Sequence, residues 1–477
     1  MITLAAVSPL LFALAATAVF RRPAHLAAVL GVAVTAAVVV LVPHFGAAAG
    51  ELGRAMAAAG LITLSAAVVI GPGLYLNQQL TERKVHTRLV QWTETLPLDA
   101  PRKSALIVVG LAPALESMTG FGVSLLVTVP LLMAVTDRPK ALRQSLLSMN
   151  IMPWGTLGLA TLVGAALAGR STTDLALGTA VVSAAVFPLF GALSAALAAA
   201  PGRRWTAAVS GGLLGAVFSA FLVAFNWLGI VELAGVLAGL TAVVLGLLIF
   251  AGGRPVTLPP WEVVRPYAIV FALVALIRFA PLVGVPVERA AVAAGDVSFN
   301  PLSSPGLALM AAVLILGRSR FERPLLAAAG SRAWKPILAL GGFTVMAQLM
   351  LAGGMVQAIS EALPVETALG FVFLSVLVGM ASGYLTGSGV GGNALMMPMQ
   401  SGIGQDLGDP LLFSAIQNSA AGHTVFASMP IVLLVLAIAG GAERGEDTKL
   451  IRFSLLTAVP VYAALTLGAL TLYGLVD

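Results

Sequence analysis

Apolar runs of the length that crosses a bilayer recur along the whole sequence. A spanning helix needs about 20 predominantly apolar residues. Runs of that kind stand near residues 2–20, 25–42, 54–76, 144–169, 175–198, 206–225, 228–251, 267–281, 304–317, 336–353, 411–438 and 449–473. The run at 304–317 is short and is expected to extend into Leu302 or Arg318. Two further stretches, 104–135 and 366–400, are longer and interrupted by glycine. Each reads as a hairpin that enters the membrane and returns. The expected fold class is an all-α polytopic membrane protein, with about 12 transmembrane helices plus two re-entrant or broken hairpins.

Composition agrees with the solvent implied by those runs. Hydrophobic residues make up 59% of the chain and charged residues 10%, against roughly 25% charged in soluble proteins. A soluble fold of this size cannot hide that much apolar surface, so a lipid bilayer is the expected partner. The net charge of +6 does not point to nucleic acid, because the basic residues sit in short loops between apolar runs. The chain has no cysteine, which excludes disulfides, thiolate metal sites and cysteine nucleophiles. Neither a metal nor a cofactor is expected.

The distribution of charge sets the orientation. Arg21 and Arg22 follow the first apolar run and do not precede it. No cleaved signal peptide is expected, and Ile2–Phe20 reads as a first span with its N-terminus outside. With both hairpins counted as down-and-up, 22 of the 26 Lys and Arg fall in cytoplasmic loops. Arg54, Arg170, Arg278 and Arg289 are left at the outer side, where Arg278 reads as snorkelling to the headgroups. Counting either hairpin as a single crossing would swap every later loop and collapse this bias. The chain is therefore expected in the cell (inner) membrane with both termini outside. The polar stretch 77–103 reads as a cytoplasmic surface helix and loop.

The two hairpins resemble each other. Met118-Thr119-Gly120-Phe121-Gly122-Val123 matches Leu385-Thr386-Gly387-Ser388-Gly389-Val390. Pro130 and Pro398 follow at similar distances. Asn150 and Asn418 are each expected to open a glycine-containing break in the next span. The first hairpin leads into the basic loop Asp137–Arg143, the second into Ser401–Pro410 with Asp406 and Asp409. The copies thus read as inverted. Residues 1–205 form a first repeat with hairpin 104–135 opening to the cytoplasm, and 206–265 are connecting helices. Residues 266–477 form a second repeat with hairpin 366–400 opening to the outside. Inverted repeats with broken helices near the midplane are the usual build of secondary transporters.

The residue types at the tips suit a ligand. A chain that reverses inside a membrane keeps its peptide groups satisfied only where protein or a water-lined cavity meets them. Glycine permits the reversal and close approach of backbone to a ligand. Half-helix N-termini favour an anion, while free carbonyls with Thr, Ser and Asn oxygens favour a cation or proton-bearing water. The candidate substrate and coupling-ion residues are Glu116, Thr119, Gly120, Gly122, Asn150, Thr386, Gly387, Ser388, Gly389, Asn393, Asn418, His423 and Ser428. Glu116 is a costly carboxylate at that depth, which suits a proton carrier; the alternative is a carboxylate bonded to the hairpin's own N–H groups. His423 is the one histidine placed deep in a span near the proposed site. Trp154 and the Met396-Met397 pair read as packing.

Leu115-Glu116-Ser117-Met118-Thr119-Gly120-Phe121-Gly122 resembles the Glu-x-x-x-Gly-Phe-Gly segment of the lactate permease family. Leu385-Thr386-Gly387-Ser388 through Asn393-Ala394-Leu395, with Gln400 downstream, resembles that family's Leu-Thr-Gly-Ser-x-x-x-x-Asn-Ala-Leu segment. Gly389-Val390-Gly391-Gly392 replaces the family's Asp-Thr-Ser-Ser, and the segment Gly422–Pro430 contains His423 and no lysine. The resemblance implies proton-coupled uptake of a small 2-hydroxy monocarboxylate such as lactate or glycolate. Sodium coupling, with another small organic anion as cargo, stays open beside it. An intramembrane serine protease using Ser388 and His423 is a reading from another class, and a channel is a third.

Overall fold

Capping residues mark where many helices begin. Asp99, Asp137, Ser171, Ser304, Thr367, Ser388 and Asp409 each precede a helix and accept a backbone N–H from its first turn. Such a cap satisfies one of the donors that a helix start leaves open. A proline in the first turn follows four of them, at Asp99, Asp137, Ser304 and Asp409, where its missing N–H costs nothing. The computed structural model describes residues 1–286, 290–295, 297–362 and 367–476. The expectations for Arg289, for the hairpin's first residue Glu366 and for the terminal Asp477 lie outside the described residues.

The chain is almost entirely helical. It begins with α1 (Ile2–Ala18), α2 (Ala24–Leu41) and α3 (Ala49–Glu82), followed by the short α4 (Val85–Glu94). The first hairpin comprises α5 (Ala100–Leu106), a π-helical turn at Ile107–Leu111, α6 (Ala112–Thr119) and the returning α7 (Leu125–Val135). A bent pair follows, α8 (Arg138–Leu147) and α9 (Gly155–Ala168), and then a second, α10 (Thr172–Ser183) and α11 (Val186–Ala198). Next come α12 (Arg204–Trp227), α13 (Val231–Phe250), α14 (Trp261–Phe279), α15 (Pro305–Leu316), α16 (Arg323–Ala352) and α17 (Met355–Ala362). The second hairpin is α18 (Ala368–Thr386) and α19 (Gly389–Asp406). The chain closes with the bent pair α20 (Pro410–Thr424) and α21 (Met429–Ile438) and the long α22 (Glu446–Val476).

Helices α2, α3, α12, α13, α16, α22 and, in the second hairpin, α18 are each long and apolar enough to cross a membrane alone. The three bent pairs turn by 58°, 43° and 43° in chain order. The six lone spans outside the hairpin, these three pairs, α14 and the shorter α1 and α15 account for the twelve expected runs.

Several boundaries differ from expectation. Helix α15 does not extend into Leu302 or Arg318: Ser304 caps its start, and Arg318 and Ser319 leave the helical path with φ of 53° and 60°. Residues 77–82 are not surface loop but the last turns of α3. Asn77 and Gln79 are buried there, and Gln79 donates to the carbonyl of Val313 in α15. A polar partner on a neighbouring helix lets an apparently surface-like sequence stay inside. A two-stranded antiparallel ribbon, β1 (Val292–Ala294) and β2 (Val297–Phe299), stands between α14 and α15 and had no sequence signal. Arg278 donates to the carbonyl of Gly229 and lies 3.9 Å from Glu232, so it ties α14 to the start of α13.

The helices sort into two packed groups that ignore the order of the chain. Helix α16 packs on α2 and α3, α1 on α2, α15 on α3 and α14 on α15. The second group joins both hairpins to α8–α13 and α20–α22: α19 packs on α9 and α20, α18 on α20 and α22, and α6 on α13. Small residues permit these approaches, as membrane helices require. A side chain at Gly383 of α18 would run into the carbonyl of Ala421 in α20.

One clamp joins the exit of the first hairpin to the end of α21. Arg138 makes a bidentate pair with Glu446 at 2.9 and 3.0 Å, and donates to the carbonyls of Ala439 and Gly441. The guanidinium holds the Glu446 carboxyl below its usual range. A depressed carboxylate contributes stability above its ordinary pKa and loses it as pH falls through the folded value. Arg138→Gln should therefore melt a few degrees lower than wild type at pH 7 in detergent. Below about pH 4 that gap should shrink. A gap that stays constant across the acid range would show that the pair contributes nothing.

Candidate functional site

The two hairpin tips are built on the same plan with different chemistry. In the first, α6 ends at Thr119, whose hydroxyl donates to the carbonyl of Leu115 at 2.7 Å. Gly120, Phe121 and Gly122 then all take positive φ, at 69°, 56° and 72°. The buried Glu116 carboxylate closes this turn. It accepts the N–H of Gly122 at 2.8 Å on one oxygen, and the N–H and hydroxyl of Ser124 at 3.2 and 2.7 Å on the other. In the second, α18 ends at Thr386, whose hydroxyl reaches the carbonyls of Ser382 and Ser388. Gly387 is left-handed at φ 65°, and the Ser388 hydroxyl accepts the N–H of Gly391. A carboxylate secures the first tip and a serine the second.

Each hairpin is followed by a broken helix. Between α8 and α9, Asn150 donates to the carbonyl of Leu147 and to that of Val108, inside the π-helical turn of the first hairpin. Helix α9 then starts with Thr156, Leu157 and Gly158 in left-handed conformation. Between α20 and α21 the break falls at Val425–Ser428.

Asn418 does not open that break as expected. It lies within α20, six residues before Thr424, with its amide fully engaged. It donates to the hydroxyls of Thr161 and Thr179 and accepts from Asn393 at 2.7 Å. The feature common to both breaks is a proline, Pro153 and Pro430, which cannot continue the hydrogen-bond ladder of the preceding helix.

A cavity of about 810 Å³ collects the tips and both breaks. Gly122 of the first tip lines it, as do Thr386, Gly387, Ser388 and Gly389 of the second. The first turns of three helices face it: Gly155 and Thr156 of α9, Gly389 to Gly391 of α19, and Met429 to Ile431 of α21.

Glu116, Thr119, Gly120, Asn150, Asn393, Asn418, His423 and Ser428 stand behind this wall, outside the lining. Asn393 donates to the carbonyl of Ala160 as well as to Asn418, so it ties the second hairpin to α9. His423 is fully buried with its ring edge-on to Phe187 at 5.3 Å. The backbone of Asn150 lies beside it, yet neither ring nitrogen closes a hydrogen bond of normal geometry among the described residues. Asn150 Oδ1, Asn393 Oδ1 and the Ser428 hydroxyl are likewise buried and uncommitted. No hydrogen bond joins Ser388 to His423 among the described residues; the serine is occupied as the cap of α19.

Sequence reasoning missed several lining residues. Thr156 and Tyr384 flank the tips, and Arg21 and Arg22 come from the α1–α2 turn, His25 from α2 and Lys335 from α16. The last four lie far along the chain from either hairpin and left no local signal. Trp154, buried and donating to Asn226, and the buried Met396 and Met397 serve packing.

Residues 267–476 match the family model described as L-lactate permease. The matched stretch runs from α14 to α22 and contains the second hairpin and its broken helix. No curated protein matches the chain.

Proposed function

Through residues 267–476 the chain belongs to the L-lactate permease family, and on that premise we propose that it is a proton-coupled symporter of a lactate- or glycolate-like 2-hydroxy monocarboxylate. The observation that carries this reading is the convergence of three helix N-termini and both hairpin tips on one cavity. The positive ends of helix dipoles favour a carboxylate there. The hydroxyls of Thr156, Thr386 and Ser388 give the 2-hydroxy group partners. Glu116, Asn150, Asn393 and Asn418 position the tips and breaks that touch the substrate, and Thr119, Gly120 and Ser428 shape them. In this reading the halves are inverted, both termini lie outside the cell membrane, and the cavity opens to the cytoplasm beside Arg21 and Lys335.

Sodium coupling is the second reading, favoured by the uncommitted acceptor oxygens Asn150 Oδ1 and Asn393 Oδ1. One experiment tests both. Purified protein in proteoliposomes is supplied with labelled L-lactate under an imposed proton gradient or an imposed sodium gradient, with a panel of small carboxylates as competitors. Accumulation under the proton gradient alone, competed by glycolate, is expected. Accumulation under sodium alone would replace the first reading with the second. No accumulation of any carboxylate under either gradient would overturn both.

A further inference from the structure

Deepening the carboxylate-transport reading and resting on it, we propose that Arg21, Arg22 and Lys335 form a cationic mouth that captures the carboxylate before it reaches the hairpin tips. The three side chains line the same cavity as Thr386 to Gly391 and Thr156, and no Asp or Glu lines it among the described residues. Each of the three is exposed, and none is in an ion pair among the described residues.

Of the other cations in the loops read as cytoplasmic, some are paired and the unpaired ones among the described residues, such as Arg88, Arg204 and Arg332, do not line the cavity. Arg138 is held by Glu446, Lys140 by Asp137 and Arg102 by Asp99, while Arg83 donates to the carbonyl of Leu316. Basic residues in cytoplasmic loops also orient spans during insertion. That role needs neither a shared cavity nor the exclusion of carboxylates from it.

Aromatic contacts pack the wall that carries these charges. Trp334 lies edge-on to His25 at 5.4 Å, and the Lys335 ammonium stands 5.4 Å from the Trp334 ring centre. Arg21, in the turn between α1 and α2, is left-handed at φ 51°, a conformation that glycine adopts freely and arginine only with strain. A cleft lined by one sign of charge raises the local concentration of the opposite ion and its on-rate, and the effect weakens with salt.

The test uses the full chain in proteoliposomes, with inserted orientation checked by protease accessibility. Arg21→Gln with Arg22→Gln, and separately Lys335→Gln, are compared with Arg21→Lys, Arg22→Lys and Lys335→Arg, which keep the charge. The glutamine variants should raise the KM for L-lactate about tenfold at low ionic strength, with maximal rate retained and the salt dependence of KM flattened. The charge-keeping variants should stay near wild type. Glutamine variants with wild-type KM and unchanged salt dependence would overturn the mouth.

A wild type that carries no lactate would overturn the transport reading instead. The mouth is then judged by binding, with L-lactate titrated against tryptophan fluorescence and Trp334→Phe as the control. Affinity that survives all three charge removals would dispose of it.

Discussion

Gly120→Ala should abolish lactate uptake and lower thermal stability more than any other single substitution at the tips. Gly120 sits at φ 69° and ψ −177°, a region open in practice only to glycine and costing other residues about 1–3 kcal/mol. A Cβ there would also overlap the Thr156 hydroxyl. Thr156 cannot yield, because it begins the left-handed turn that starts α9. The substitution therefore strains the first hairpin and the first broken helix together. Gly387→Ala is the milder comparison. Its φ of 65° and ψ of 22° are ordinary left-handed values, and its Cβ would meet Pro430 at 3.0 Å and the Ser428 hydroxyl at 3.4 Å. Melting in detergent and uptake by the reconstituted protein check both variants. A Gly120→Ala protein with wild-type melting and uptake would refute the contact.

Glu116→Gln should cut uptake to below about a tenth of wild type, and should do so in exchange as well as under a proton gradient. The carboxylate accepts three hydrogen bonds from Gly122 and Ser124. An amide offers one acceptor oxygen and turns an NH2 group toward donors. Each buried donor left unpaired beside a formerly charged partner costs about 1.5–3 kcal/mol, enough to open the tip. Counterflow exchange of labelled for unlabelled lactate separates this role from proton carriage. A proton carrier replaced by glutamine would lose gradient-driven accumulation and keep exchange. Retained exchange would count against the positioning role, and wild-type accumulation would dispose of both roles.

The spans and both hairpins were legible because lipid leaves a coarse signal. Apolar length and the sidedness of arginine and lysine are properties of whole segments and survive local irregularity. The tips were legible through Thr119-Gly120 and Thr386-Gly387, since reversal needs glycine wherever it occurs.

The breaks were less so. Asn418 matched Asn150 in spacing, but hydrogen bonds to Thr161 and Thr179 hold it inside an intact helix, and spacing carries no information about partners more than two hundred residues away. Pro153 and Pro430 were the available signals for the breaks. The left-handed Thr156 and Leu157 contradict local preference, because neither is glycine; only tertiary contacts hold them there. Arg21, Arg22 and Lys335 looked like topology determinants, and only the packing of α16 on α2 brings them to the cavity.

The polar bonds of the two hairpins differ in how far along the chain they reach, and this has a consequence for biogenesis. The first tip is closed by Glu116 with partners six and eight residues away. That segment can satisfy its buried groups as soon as it leaves the ribosome. Asn393 reaches Ala160 across 233 residues, and Asn418 reaches Thr161 across 257. Until those partners are in place, the second hairpin and α20 hold amides that hydrocarbon cannot satisfy. The C-terminal half thus depends on the N-terminal half for the partners of these amides. Severed and co-expressed, the first half can await the second, whereas the second made alone is the fragment a quality-control protease would remove.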